Sequence, residues 1–302
     1  MLAVLTGPSN SLFFYLSSLV ILVAWVLAAG KDMIGAPPAD KLVLLGPLFF
    51  AMPLAVFGTQ HFVQTAGIME IMPQWIPAHR FFVLMVGACL IAAGLSIATR
   101  IQSAMAAFLF AVMMFSFEAL MIIPGAVSDP HDRFGWTIML REFTFACGAL
   151  AIAASHARSW SFDAKRVTAV FTRLGLGIAI TFFGIEQLLH PAFVPGVPLR
   201  LMTPTWIPGH MVWTYVNGIV FVVAGLCLIA NQRTRSAAVS IGVMLLVVIV
   251  AVYLPMLIAK PFDITAIDYF FDTLLLCGSV FAVAGIQDHS AARRVEMLIA
   301  PR

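Results

Sequence analysis

Apolar runs long enough to cross a bilayer recur along almost the whole chain, and polar residues gather in short gaps between them. Nine such runs can be drawn, at about 11–29, 42–63, 81–99, 104–123, 136–155, 168–189, 211–230, 236–258 and 267–286. The hydrocarbon core of a bilayer is about 30 Å thick, so a spanning helix needs roughly 20 apolar residues. Lipid offers the backbone no hydrogen-bond partners, so runs of this length must satisfy their own as helices. The pattern predicts an all-α polytopic membrane protein with about nine transmembrane helices.

The polar punctuation repeats. Pro73-Gln74-Trp75-Ile76-Pro77-Ala78-His79 returns as Pro204-Thr205-Trp206-Ile207-Pro208-Gly209-His210, 131 residues later. The same offset relates Gly87 to Gly218 and Gly94 to Gly225. Further on, Glu142…Cys147-Gly148 matches Asp272…Cys277-Gly278 at an offset of 130. An internal repeat constrains architecture more firmly than local propensity does. The expected organisation is an N-terminal transmembrane helix (1–40) followed by two tandem four-helix repeats (41–160 and 161–302), with the polar stretch 155–166 between them. Each copy has an even number of spans, so both enter the membrane in the same sense. A pseudo-twofold axis along the membrane normal then relates two parallel bundles, unlike the inverted repeats of many transporters.

Composition agrees with the pattern. The chain has 302 residues, 62% hydrophobic and 10% charged, with a mean hydropathy of +1.01. Soluble domains carry about 25% charged residues. The net charge is only +3 and no basic block is present, so no nucleic-acid partner is expected. Of the 17 Lys and Arg residues, 12 fall on one set of loops or beside it, and 5 on the other. By the positive-inside rule this puts the C-terminus in the cytoplasm and the N-terminus outside a cell inner membrane, with both Trp-Ile-Pro turns on the outer face. Residues 1–10 carry no Lys or Arg, so the first run reads as a retained helix rather than a cleaved leader. Cys89, Cys147, Cys227 and Cys277 all lie in apolar runs and form no Cys-x-x-Cys pair, which suits apolar packing rather than redox chemistry.

The turns have a physical logic of their own. Pro77 and Pro208 suit a turn or a first helical position, and Trp75 and Trp206 suit the membrane interface. With His79 and His210 they read as a re-entry turn with an aromatic anchor, on which a ligand-binding role can be superimposed.

Ionisable groups inside apolar spans are costly and demand an explanation. The first copy carries Gln60, His61, Glu118, Arg141 and Glu142, and the second carries Glu186, Gln187, His190, Asp268 and Asp272. Phe57-Gly58-Thr59-Gln60-His61 aligns with Phe183-Gly184-Ile185-Glu186-Gln187, so Gln60/Glu186 and His61/Gln187 form equivalent polar pairs. About five extra residues then precede the second Trp-Ile-Pro turn. Glu186 and His190 are four apart and share a helix face, as do Asp268 and Asp272. Two carboxylates so placed in low dielectric need a proton or a nearby cation, and Arg141 is a candidate partner. Three readings remain open: a polar network that only fixes helix packing, a quinone or lipid head-group site near the outer interface, and a proton or ion path. No metal site is expected, because His61, His79, His190 and His210 stand at no standard ligand spacing.

In the second copy, Phe183-Gly184, His190-Pro191, Phe193, Pro204-Thr205-Trp206-Ile207-Pro208, Gly218 and Gly225 make a pattern that resembles the DoxX/DoxD-like integral membrane family. The first copy shares Phe57-Gly58, His61, Phe62, Pro73, Trp75-Ile76-Pro77, Gly87 and Gly94, without the His-Pro dipeptide. The resemblance covers roughly 42–286 and implies four-helix membrane units, some of them subunits of quinone-linked oxidoreductases. It thus implies a quinone as cofactor and a redox-enzyme subunit as partner, and supplies no catalytic residue. A structural or assembly protein and a proton-coupled carrier are the alternatives.

Overall fold

The computed structural model describes residues 8–197 and 199–299. The fold is all-α, and among the described residues nine helical stretches are long and apolar enough to cross a membrane. Helix α1 is Pro8–Gly35. The first repeat comprises α2 (Pro38–Leu44), α3 (Gly46–Val63), α4 (Thr65–Ile71), α5 (His79–Thr99), α6 (Ser103–Phe117), α7 (Ile123–Ser128) and α8 (Arg133–His156). The second comprises α9 (Phe162–Leu189), α10 (His210–Ile229), α11 (Thr234–Val248), α12 (Leu254–Ala259) and α13 (Ile264–Ile299). A π turn at Glu118–Ile122 joins α6 to α7, and another at Ile249–Tyr253 joins α11 to α12.

The predicted runs coincide with these spans, with ends that differ by six residues at most. The third span of each copy carries a proline, Pro124 or Pro255, without ending there. Proline lacks the helical N–H and its ring clashes with the carbonyl one turn earlier. The wider π turn immediately before each proline absorbs that clash and lets the span continue.

Local conformations repeat at an offset of 131. Left-handed Ala78, Arg100 and Gln102 correspond to Gly209, Asn231 and Arg233, and the π turns begin at Glu118 and Ile249. The fourth helices start alike: Asp132 accepts from the Phe134 N–H at 3.0 Å and Asp263 from the Thr265 N–H at 2.9 Å. This corrects the 130-residue match. In structural register the counterpart of Asp272 is Arg141, not Glu142, and the shared Cys-Gly dipeptide lies one residue out of step.

Within each copy the first two helices cross at glycines. A Cβ on Gly58 would stand 2.7 Å from the Gly87 carbonyl oxygen, and one on Gly184 2.8 Å from that of Gly218. Such small-residue crossings let backbones approach where lipid supplies no hydrophobic drive between helices. The copies then exchange helices. Helix α3 packs on α13 of the other copy, α9 packs on α8, and α8 and α13 lie side by side at the centre. The apolar window of α13 is 78% buried, against 28% for α1, which covers α3 and α5 from the periphery. Phe115, Phe143 and Phe171 stack edge-on at 5.9–6.1 Å and tie α6, α8 and α9 together.

Candidate functional site

Arg141 and Asp272 each lie eight residues into a fourth helix, about 12 Å along it at 1.5 Å per residue. Because α8 and α13 run side by side, the two side chains meet. Arg141 Nη1 donates to Asp272 Oδ2 at 2.6 Å, and Nε and Nη2 donate to Glu142 Oε1 at 3.1 and 2.5 Å. One turn earlier on α13, Asp268 Oδ1 accepts from Gln60 Nε2 of α3 at 2.6 Å. Glu118 opens the first π turn, is buried, and leaves Oε1 without a hydrogen-bond partner in the chain. Its π turn packs against α8, the helix that carries Glu142. Tyr253 and Tyr269 stack at 5.8 Å beside Asp272. Six of the sequence candidates therefore converge between the copies: Gln60, Glu118, Arg141, Glu142, Asp268 and Asp272. Four of the six are carboxyl groups, and two of these, Glu142 and Asp272, share the Arg141 guanidinium.

A second group forms where α9 ends. Glu186 Oε2 stands 3.7 Å from His190 Nε2, as the four-residue spacing predicts, and 3.6 Å from Arg133 Nη1. Buried Gln187 donates through Nε2 to the Phe193 carbonyl at 2.9 Å. Arg133 also donates to the Leu199 carbonyl at 2.6 Å and lies 4.2 Å over the Phe193 ring. These contacts hold the long loop of the second copy. Its two arms meet at an isolated antiparallel bridge, Phe193 to Met202, flanked by Val194 N–H to Leu201 O and Thr203 N–H to Ala192 O, both at 2.9 Å. Val194, Val197 and Leu199 are buried, so the extra residues form a plug against the helices. Gly196 turns the tip at φ +106°, a left-handed conformation that needs glycine. The first copy has the short helix α4 in the corresponding place.

His61 joins neither group; its Nδ1 is 2.7 Å from the Phe57 carbonyl oxygen on its own helix. The Trp-Ile-Pro turns are built identically, with Ile76 N–H bonded to Pro73 O at 3.1 Å and Ile207 N–H to Pro204 O at 3.2 Å. Trp75 and Trp206 are exposed, as are Pro77 and Pro208. His79 and His210 begin α5 and α10 directly after the left-handed Ala78 and Gly209. His79 Nε2 lies 3.2 Å from the Pro73 carbonyl oxygen and closes its turn.

Sequence reasoning missed Arg133, which it counted only as a loop charge, because the loop it holds is a tertiary feature.

No family model, curated protein or solved structure matches this chain. Fold and site together define a class: a polytopic all-α protein of the lipid bilayer, with nine candidate spans among the described residues. Its particular character is the acid-rich cluster buried between its repeated halves.

Proposed function

We propose that this chain is the inner-membrane partner of a quinone-linked oxidoreductase and handles protons within the bilayer. One observation carries the reading: Glu142 and Asp272 share the single guanidinium of Arg141, Asp268 stands one turn from Asp272, and buried Glu118 opens a π turn that packs against α8. Arg141 balances one negative charge. The remaining carboxyl groups need protons or cations to persist in an apolar interior. A quinone gains two electrons and two protons on becoming the hydroquinone, and a site that serves it away from bulk water needs such a proton store. The resemblance of the Trp-Ile-Pro and glycine pattern to DoxX/DoxD-like proteins supports the same reading. The loop charge bias supports a cytoplasmic C-terminus.

Infrared difference spectroscopy of the reconstituted full chain tests this. Cycling decylquinone between oxidised and reduced forms should perturb a protonated-carboxyl band, and Glu118→Gln should diminish it. A spectrum with no such band at neutral pH sinks the proposal. A second reading, a proton-coupled carrier, draws on the π turn that opens at Glu118, since π turns often mark functional sites. It requires vesicle uptake that depends on a proton gradient and fails in Asp272→Asn.

A further inference from the structure

The polar stretch between the copies borders a groove that the acid cluster does not explain. The groove measures about 1220 Å³ and lies where α5 gives way to α6 and α8 to α9. It is at the far end of α5 from the first Trp-Ile-Pro turn. Arg100, Arg158 and Lys165 all line it. Asp32 holds Arg100 at 2.6 Å and leaves it 40% exposed, open to a further anion. Among the described residues, no carboxylate forms an ion pair with Arg158 or Lys165. Three cations thus face one space with a single carboxylate to balance them.

The rest of the lining is of two kinds. Gln102, Ser103 and Ala104 bring the first turn of α6 to the groove, and no side chain caps that turn. Its N–H groups have no intrahelical partner and form the positive end of the helix dipole. Phe108 and Trp160 meet edge-on at 5.8 Å in the same lining. Met105, Phe108, Leu109 and Val112 follow at helical spacing and are all exposed, so an apolar stripe leads out of the groove along the span. The second copy has no such combination. At the 131-residue offset, Asn231 stands for Arg100 and Val239 for Phe108, and Arg235 of that turn is paired with Asp40.

We propose that this groove binds the phosphate head of an anionic phospholipid, with an acyl chain laid along α6. Guanidinium and ammonium groups give phosphate its strong, charge-assisted hydrogen bonds, and basic pockets between transmembrane helices suit anionic lipid heads. A soluble phosphate ester uses the cations but gains nothing from the aromatic pair or the stripe. A zwitterionic lipid fits the stripe, but its quaternary ammonium meets only Asp32, which already holds Arg100. The inference uses none of the acid-cluster residues and does not depend on the proton-handling reading.

Native mass spectrometry of the delipidated full chain tests it, with dioleoylphosphatidylglycerol, dioleoylphosphatidylcholine or glycerol 3-phosphate added at one concentration. Phosphatidylglycerol should be retained at least about tenfold better than either of the others. Arg158→Gln with Lys165→Gln should cut its advantage over phosphatidylcholine about tenfold. Lys31→Gln with Arg166→Gln removes the same two charges outside the groove lining and should leave the advantage unchanged. Both pairs change surface side chains, and an unaltered thermal unfolding midpoint shows that each variant is folded. Equal retention of the two lipids overturns the proposal. So does an advantage that survives Arg158→Gln with Lys165→Gln, or one that falls equally in the control pair, which marks diffuse surface charge. Glycerol 3-phosphate retained as well as phosphatidylglycerol marks a soluble-anion site and also overturns it.

Discussion

Arg141 is held by Asp272 from the other copy and by Glu142 beside it, and all three side chains are at least three-quarters buried. Removing the arginine leaves two carboxyl groups facing each other without a cation. Arg141→Leu should lower unfolding stability by about 3–5 kcal/mol, whereas Arg141→Leu with Asp272→Leu should recover most of the loss. Thermal unfolding in detergent distinguishes the two, and an additive double variant counts against the pair. The candidates themselves were legible, because a charge in an apolar run is conspicuous. Glu186 and His190 were also legible as neighbours from their spacing. The Gln60–Asp268 contact joins residues 208 apart in the chain, beyond any spacing rule. The Arg141–Asp272 partnership was suspected from charge alone; its place in the repeat was hidden by a match one residue out of register.

At the scale of the elements, hydropathy revealed the spans because lipid leaves the backbone no alternative to a helix. It did not reveal the two π turns, which answer a clash at Pro124 and Pro255, or the plug, whose arms pair only when helices support them. Glycines carry the helix crossings and the plug tip. Gly184→Val drives a side chain against the Val222 N–H and the Gly218 carbonyl, at a cost of about 1–3 kcal/mol. Gly196→Ala forces a left-handed alanine, again at about 1–3 kcal/mol. Gly125→Ala meets nothing within 4 Å and should be neutral or slightly stabilising. Denaturant titration of the three variants ranks them, and an equal effect at Gly125 and Gly184 removes the case for the crossing.

For the whole molecule, the parallel arrangement makes a direct prediction about sidedness. Gln74→Cys and Thr205→Cys, in equivalent turns, should both react with an impermeant thiol reagent from the same side of sealed vesicles. Labelling from opposite sides excludes parallel copies. The register makes another: since positions 141 and 272 are equivalent, the exchange Arg141→Asp with Asp272→Arg should restore most of the stability that either change alone removes, measured by the same unfolding assay. That equivalence reaches beyond stability. A homodimer of a single four-helix unit carries the same residue at both equivalent positions on its axis. Two arginines or two aspartates would then confront each other between the packed helices and repel. Covalent duplication escapes the rule, because a change in one half is no longer copied into the other. The salt bridge at the axis is therefore a signature of divergence within one gene. It marks the halves as non-interchangeable, and leaves one of them free to acquire a plug that the other lacks.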